Sequence, residues 1–177
     1  MKINEKAITL TVAVIGAVLG LVNSYWILTS DTVDLSIQPS PVLKREGNIL
    51  MTPRDLREFE YGINHYGAPK EIFMKITNTG RVTAWVTGIG FTNKNKKNRF
   101  YLLSPDLETK GGFPLGPKEP RNIDTKVTPE LRKHLISGVD QAFVETSDGK
   151  VFLGSTPIWD NYVQWLKKSN NANATDS

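Results

Sequence analysis

Side chains able to bind metals, move protons or attack carbonyl carbons are sparse in this chain. It carries two histidines, His65 and His134, and no cysteine. Thiol nucleophiles, disulfides, zinc–thiolate sites and iron–sulfur clusters are therefore excluded. A first-row metal bound by either histidine would need carboxylates to complete its shell, and the acidic residues nearest in sequence show no ligand spacing. Both histidines are expected to face solvent, His65 from a loop and His134 from a short helix. Paired carboxylates occur at Glu58 with Glu60 and at Asp106 with Glu108. Their basic neighbours make them read as solvated surface, whereas general acid–base work needs a buried carboxyl with a shifted pKa. No G-x-S-x-G elbow, P-loop or G-x-G-x-x-G run is present. No catalytic, cofactor-binding or metal residue is assigned, and a non-enzymatic protein is expected.

Binding chemistry has two better sources. Lys94, Lys96, Lys97 and Arg99 form the densest basic run. In a strand-to-strand loop it either meets lipid phosphates or an acidic partner, or simply keeps a hairpin soluble and its edge unpaired. Trp159, Tyr162 and Trp165 share a helix that opens at Thr156-Pro157 and carries Lys167-Lys168 at its end. Those rings either pack over an open end of the folded body, the favoured reading, or rest at a bilayer interface. The net charge of +4 and pI near 9.2 are mild and scattered, so nucleic acid is not an expected partner. Asn173-Ala174-Thr175 matches a glycosylation sequon by chance.

The element that would position all of this is the uncharged run Ala7 to Ser30. It exceeds the roughly 20 apolar residues needed to cross a bilayer core, and in hydrocarbon such a run spans only as a helix. Tyr25 and Trp26 lie near one end, where amphipathic rings settle at head groups. Residues 1–6 form a flank and 7–30 the transmembrane helix. An uncleaved anchor is favoured over a signal peptide, because the apolar core outruns a usual h-region and no A-x-A site follows. Lys2 and Lys6 precede the run, while no base follows it until Lys44 and Arg45, which puts the N-terminus in the cytoplasm and the rest outside. Gly16 and Gly20 form GxxxG, which either allows close helix–helix approach and a homodimer or reflects the usual composition of such helices.

Residues 31–168 then make one domain, with an insertion at 43–70, a C-terminal helix at 157–168 and a disordered tail at 169–177. Val33, Leu35 and Ile37 alternate with polar residues as in a half-buried strand, which Pro39 and Pro41 are expected to end. A short helix is expected from Thr52-Pro53-Arg54-Asp55, with Thr52 as its cap. Strands follow at Glu71–Asn78, at Val82–Thr92 with Trp85, Thr87, Ile89 and Phe91 on one face, and at Arg99–Leu103. Residues 104–119 read as a long loop. Arg121–Val127 is a strand and Thr128-Pro129 opens a helix. Val139–Thr146 and Lys150–Gly154 form a hairpin across Ser147-Asp148-Gly149. About seven short strands with a closing D-G hairpin spell an all-β fold, an immunoglobulin-like β-sandwich with a few short helices, preceded by one transmembrane helix.

FMKITNTGRVTAWVTGIGF (73–91) resembles the strand, N-x-G turn, strand core of small immunoglobulin-like domains in single-pass bacterial membrane proteins. VDQAFVETSDGKVFLG (139–154) is similar to their final hairpin. The likeness spans 31–37 and 71–154 and carries no catalytic residue. It implies a single-pass protein of a bacterial inner membrane whose soluble domain lies outside the cytoplasm. The expected function is a membrane-anchored, non-enzymatic interaction, scaffold or accessory module with an unidentified protein partner. The alternative is a membrane-tethered hydrolase or ligand-binding sensor using loops 43–70 and 104–119.

Overall fold

The computed structural model describes residues 5–30, 32–45 and 49–175, with side chains for 12–26, 32–44 and 50–170. The first helix, α1, runs Glu5–Ser30. Among the described residues no helix is long and apolar enough to cross a membrane. The described side chains of α1 run only from Val12 to Trp26, short of the roughly 20 that a bilayer core requires. The transmembrane span expected over 7–30 is therefore not shown by the structure and rests on the sequence. Lys2 lies outside the described residues, as does the side chain of Lys6.

Two antiparallel sheets follow. The first has the order β2-β1-β3-β7, from Leu35–Arg45 (β1), Ile49–Met51 (β2), Glu71–Asn78 (β3) and Pro120–Lys126 (β7). The second has the order β5-β4-β8-β9, from Ala84–Thr92 (β4), Arg99–Tyr101 (β5), Gln141–Thr146 (β8) and Val151–Gly154 (β9). The short Phe113–Leu115 (β6) also pairs with β4. Four further helices are α2 (Leu56–Tyr66), α3 (Pro105–Lys110), α4 (Pro129–Ile136) and α5 (Pro157–Thr175). An all-β description is thus too narrow, since two antiparallel sheets share the molecule with substantial helix. The C-terminal helix does not stop at Lys168 but continues to Thr175, through most of the expected tail.

Strand β1 does not end at Pro39 and Pro41. It passes through both, pairing Pro39 with Met74 and Pro41 with Ile72. The two prolines have the same parity, so their missing N–H groups point the same way. In an antiparallel strand a residue's C=O and N–H share a side. The Pro39 carbonyl accepts from the Thr156 hydroxyl at 2.8 Å, so that side faces the start of α5 and not β3. The ladder to β3 loses nothing, and proline is tolerated there as on any edge.

Strand β4 corrects the expected face assignment. Val86 pairs with Thr146 and Gly88 with Glu145, leaving Thr87 as an extra residue. This bulge reverses the alternation. Ala84 and Val86 point inward before it, Ile89 and Phe91 after it, all at 0–1% exposure, while Trp85 is 44% exposed. Val86, Ile89 and Phe91 each contribute roughly 1.5–3 kcal/mol by burial. Strand β3 alternates without interruption, burying Ile72, Met74 and Ile76.

The sheets approach along β1 and β9, where a Cβ on Gly154 would strike the Ile37 backbone carbonyl. On the opposite side the segment expected as loop 104–119 supplies α3 and β6. Ser104 caps α3 by accepting from the Leu107 N–H, with proline in the first turn. Arg121 of β7 pairs with Asp106 of α3 and lies 4.0 Å over the Phe113 ring.

Register defines two ends. Leu35 pairs with Asn78 at the end where the chain arrives from α1. Glu71 pairs with Val42 and Lys126 at the far end, where α2 and α4 attach. The α1 end is knotted by Asn78, which is fully buried. Its amide donates to the carbonyls of Val82 and Leu115, both at 2.8 Å, and accepts from the Gly80 N–H at 2.9 Å. Helix α2 starts at Leu56 instead of beside Thr52, because Asp55 is the cap, accepting from the Glu58 N–H at 2.9 Å. Glu58 in turn accepts from the N–H of Arg54, the residue before the cap, at 2.9 Å, so the capping pair lies three residues later than expected.

Candidate functional site

The basic hairpin between β4 and β5 is built by Asn93, whose side chain accepts from the N–H groups of Lys97 (2.9 Å) and Asn98 (3.3 Å). The turn puts Lys96 at a φ of 57°. Its ammonium donates to the Val151 carbonyl of β9 at 3.4 Å. Arg99 turns to the outer face of the second sheet, where it pairs with Glu145 at 3.2 Å and donates to the Tyr101 hydroxyl at 3.1 Å. That hydroxyl donates to Glu145 at 2.9 Å. Gly88 makes room for this cluster, since a Cβ there would lie 3.0 Å from the Tyr101 ring, and Gly90 lets the Phe100 backbone carbonyl approach, which a Cβ would strike. Lys96 and Arg99 are engaged by the protein, and Lys94 and Lys97 are exposed.

Helix α5 separates its two tryptophans. Trp159 is fully buried, stacks on Phe91 at 5.0 Å and donates its indole N–H to the Asp140 carbonyl at 2.6 Å. Contact with lipid or a partner, expected as one option for Trp159, is ruled out by that burial. Lys167 pairs with Asp140 at 2.9 Å, tying the helix to β8 instead of ending it. Trp165 is half-buried and borders a groove of about 200 Å³ between α2 and α5. Phe59 and Ile63 form its apolar side, and Glu60, Asn64 and Gln164 supply polar groups. Such a groove can hold a small polar ligand against an aromatic edge. The sequence signals for it are the helical spacing of Phe59 with Ile63 and the amides near Trp165; what cannot be read from them is that α2 and α5 are neighbours.

His65 lies on α2, not in a loop. It stacks on Tyr61 at 3.8 Å, with Nδ1 2.9 Å from the Tyr61 carbonyl. His134 is on α4, as expected, with its ring 5.1 Å from Phe100. Among the described residues no group of three or more His, Asp or Glu side chains could hold a metal ion. Tyr162 is fully buried and its hydroxyl has no hydrogen-bond partner. Burial pushes its pKa well above the ordinary phenol value, with Arg132 opposing, so it stays neutral at physiological pH. Among the described residues nothing lies within 4 Å of where a Cβ on Gly16 or Gly20 of α1 would sit.

The hairpin between β8 and β9 carries a displaced carboxyl. The Thr146 hydroxyl, 2.5 Å away, and then Lys150 lower the Asp148 pKa from 3.8 to about 2. Since the folded value lies below the unfolded one, this stabilisation is complete above pH 4 or so and fades as pH falls toward 2. The group is exposed, so solvent screening keeps the effect small. An NMR titration should place the Asp148 midpoint near 2 and return it toward 3.8 in Thr146→Val.

No family model matches the chain, and no curated protein matches it. Among solved structures, one described as "X-ray structure of Northeast Structural Genomics Consortium target SoR45" is similar over 72% of this chain and 89% of that chain, at 10% identity and a TM-score of 0.29. A likeness that loose identifies neither a fold nor an activity.

Proposed function

We propose that the chain is a single-pass membrane protein, with α1 as anchor and the two-sheet body displayed outside the cytoplasm as a non-enzymatic interaction or accessory module. The observation that carries this reading is the bareness of α1. Val12, Ile15, Leu19 and Leu21 are 53–72% exposed. A helix apolar on all sides needs an apolar surrounding, and an isolated one in water would be marginal. Lipid supplies that surrounding, and Gly16 with Gly20 give a second copy a face to pack on. The body reads as an immunoglobulin-like sandwich. Taking β1, β3 and β7 as strands A, B and E, and β4, β8 and β9 as C, F and G, its strand order is the A-B-E and C-F-G arrangement of that fold. Its partners are a bilayer, in the manner of the bacterial proteins it resembles in sequence, and a protein that meets its loops or sheet edges.

Two measurements test this reading. The full chain should remain with membranes in alkaline carbonate, and release into the supernatant would defeat the anchor. An alkaline phosphatase fusion at Ser177 should be active if the body lies outside, and inactivity would reverse the orientation. Crosslinking in native membranes then identifies the partner.

A further inference from the structure

We propose that the end of the body carrying the Asn78–Arg81 turn is a lipid-facing surface seated on phospholipid head groups, so that α1 and the two sheets move as one unit. The inference rests on the anchored reading of α1 and adds which surface meets the bilayer and how firmly it is held there.

The Thr32–Asp34 segment that leads into β1 is not a free linker. The Thr79 and Gly80 N–H groups donate to the Asp34 carbonyl at 2.8 and 3.1 Å, and the Arg81 N–H donates to the Thr32 carbonyl at 3.3 Å. The Thr79 hydroxyl donates to the Asp34 carboxylate at 2.9 Å. Gly80 lies so close to this segment that a Cβ there would sit 2.7 Å from the Asp34 nitrogen. The turn is immobilised in its own right by Asn78, whose carbonyl also accepts from the Lys118 N–H at 2.8 Å. Even unclamped, four residues span at most about 14 Å, so this end of the body cannot move far from the end of α1.

Arg81 joins the two parts directly. Its guanidinium lies 5.9 Å over the Trp26 ring, a cation–π pair at the level where an anchor's aromatic belt meets head groups. A guanidinium beside an indole at that depth is placed to contact phosphate oxygens, and Lys118 is held at the same end. Of the described acidic side chains there, Asp34 accepts from Thr79, Glu119 from the Gly116 N–H at 2.7 Å, and Asp148 of the β8–β9 hairpin pairs with Lys150 at 3.0 Å. Lipid is the occupant chosen because the surface is continuous with the bare apolar side of α1. The α2–α5 groove is then carried at the end away from the bilayer.

The test uses the full chain in nanodiscs of phosphatidylcholine with phosphatidylglycerol. The chain lacks cysteine, so single substitutions T83C, S147C, N64C and K133C give four fluorophore sites. Lipid spin-labelled at the head group should quench the Thr83 and Ser147 sites several-fold more than the Asn64 and Lys133 sites. Gly80→Val should bring that ratio toward one; if it fails to fold, R81E should do so by repelling the anionic surface. Equal quenching at all four sites of chain held in the discs would overturn the seating while leaving the anchor intact. Chain that does not enter the discs would overturn the anchored reading itself. A ratio unchanged in both variants would overturn the role given to the turn.

Discussion

Asn78→Ala should lower the stability of the body by about 2–4 kcal/mol, because one buried and two part-buried backbone groups lose their partners at once and a buried orphan costs roughly 1–3 kcal/mol. The carbonyls of Val82 and Leu115 lose a donor and the Gly80 N–H loses its acceptor. These three partners also fix which way the amide points. Asn78→Asp keeps the shape but replaces the donating NH2 with an acceptor facing two carbonyls, and should be at least as damaging at neutral pH. Urea unfolding followed by circular dichroism measures both. For a body of this size each 1 kcal/mol moves Tm by roughly 2–4 °C, so a drop near 10 °C is expected for alanine. A loss below about 1 kcal/mol would mean that the turn does not depend on this side chain. The same variants should weaken the seating of α1, since Asn78 holds the turn that grips Asp34.

Trp159→Ala is the second large effect, at about 3–5 kcal/mol for emptying a fully buried indole site. Trp159 stacks on Phe91 and lies 5.5 Å from the Tyr162 ring, so its removal opens a void between α5 and the second sheet. Trp159→Phe separates packing from polarity. It retains a ring against Phe91 but leaves the Asp140 carbonyl without its donor, a loss of roughly 1–3 kcal/mol. Chemical denaturation with near-ultraviolet circular dichroism distinguishes the two, because the aromatic signal should collapse only in the alanine variant. If alanine and phenylalanine cost the same, the indole hydrogen bond would matter more to stability than the stacking.

Several elements could be read without coordinates because their signals are local. The alternation in EIFMKITN needs only the pleat of one strand, and β3 covers that stretch. The Thr128-Pro129 cap sits within one turn of the helix it opens, and Thr128 accepts from the Leu131 N–H. The D-G hairpin at 148–149 has Gly149 at a φ of 78°, as such a turn requires. Misreadings came where a distant partner decided the outcome. Pro39 and Pro41 look like strand breakers until the Pro39 carbonyl is found bonded to Thr156, far along the chain. Glycine and proline density hid α3 and β6, whose place is set by Arg121 and by β4. The bulge at Thr87 has no signature in VTGIG beyond its glycines.

The candidate site was less legible than the fold. The basic run stands out in sequence, yet its division between Val151, Glu145 and solvent depends on strands β8 and β9, which lie far along the chain. The aromatic helix was conspicuous, but whether each ring faces the core or the groove follows from the approach of α2 and α4.

Residue order alone settles the alternation in β3, the Thr128 cap, the Asp148-Gly149 turn and the uncharged stretch before Asp31, since each involves side chains within a few positions of one another. Strand order, the reversal in β4, the helical cap over the far end and the grip on the Thr32–Asp34 segment arise only after folding. Those features come from contacts between residues that lie tens of positions apart, and their energies are not properties of any short stretch of chain.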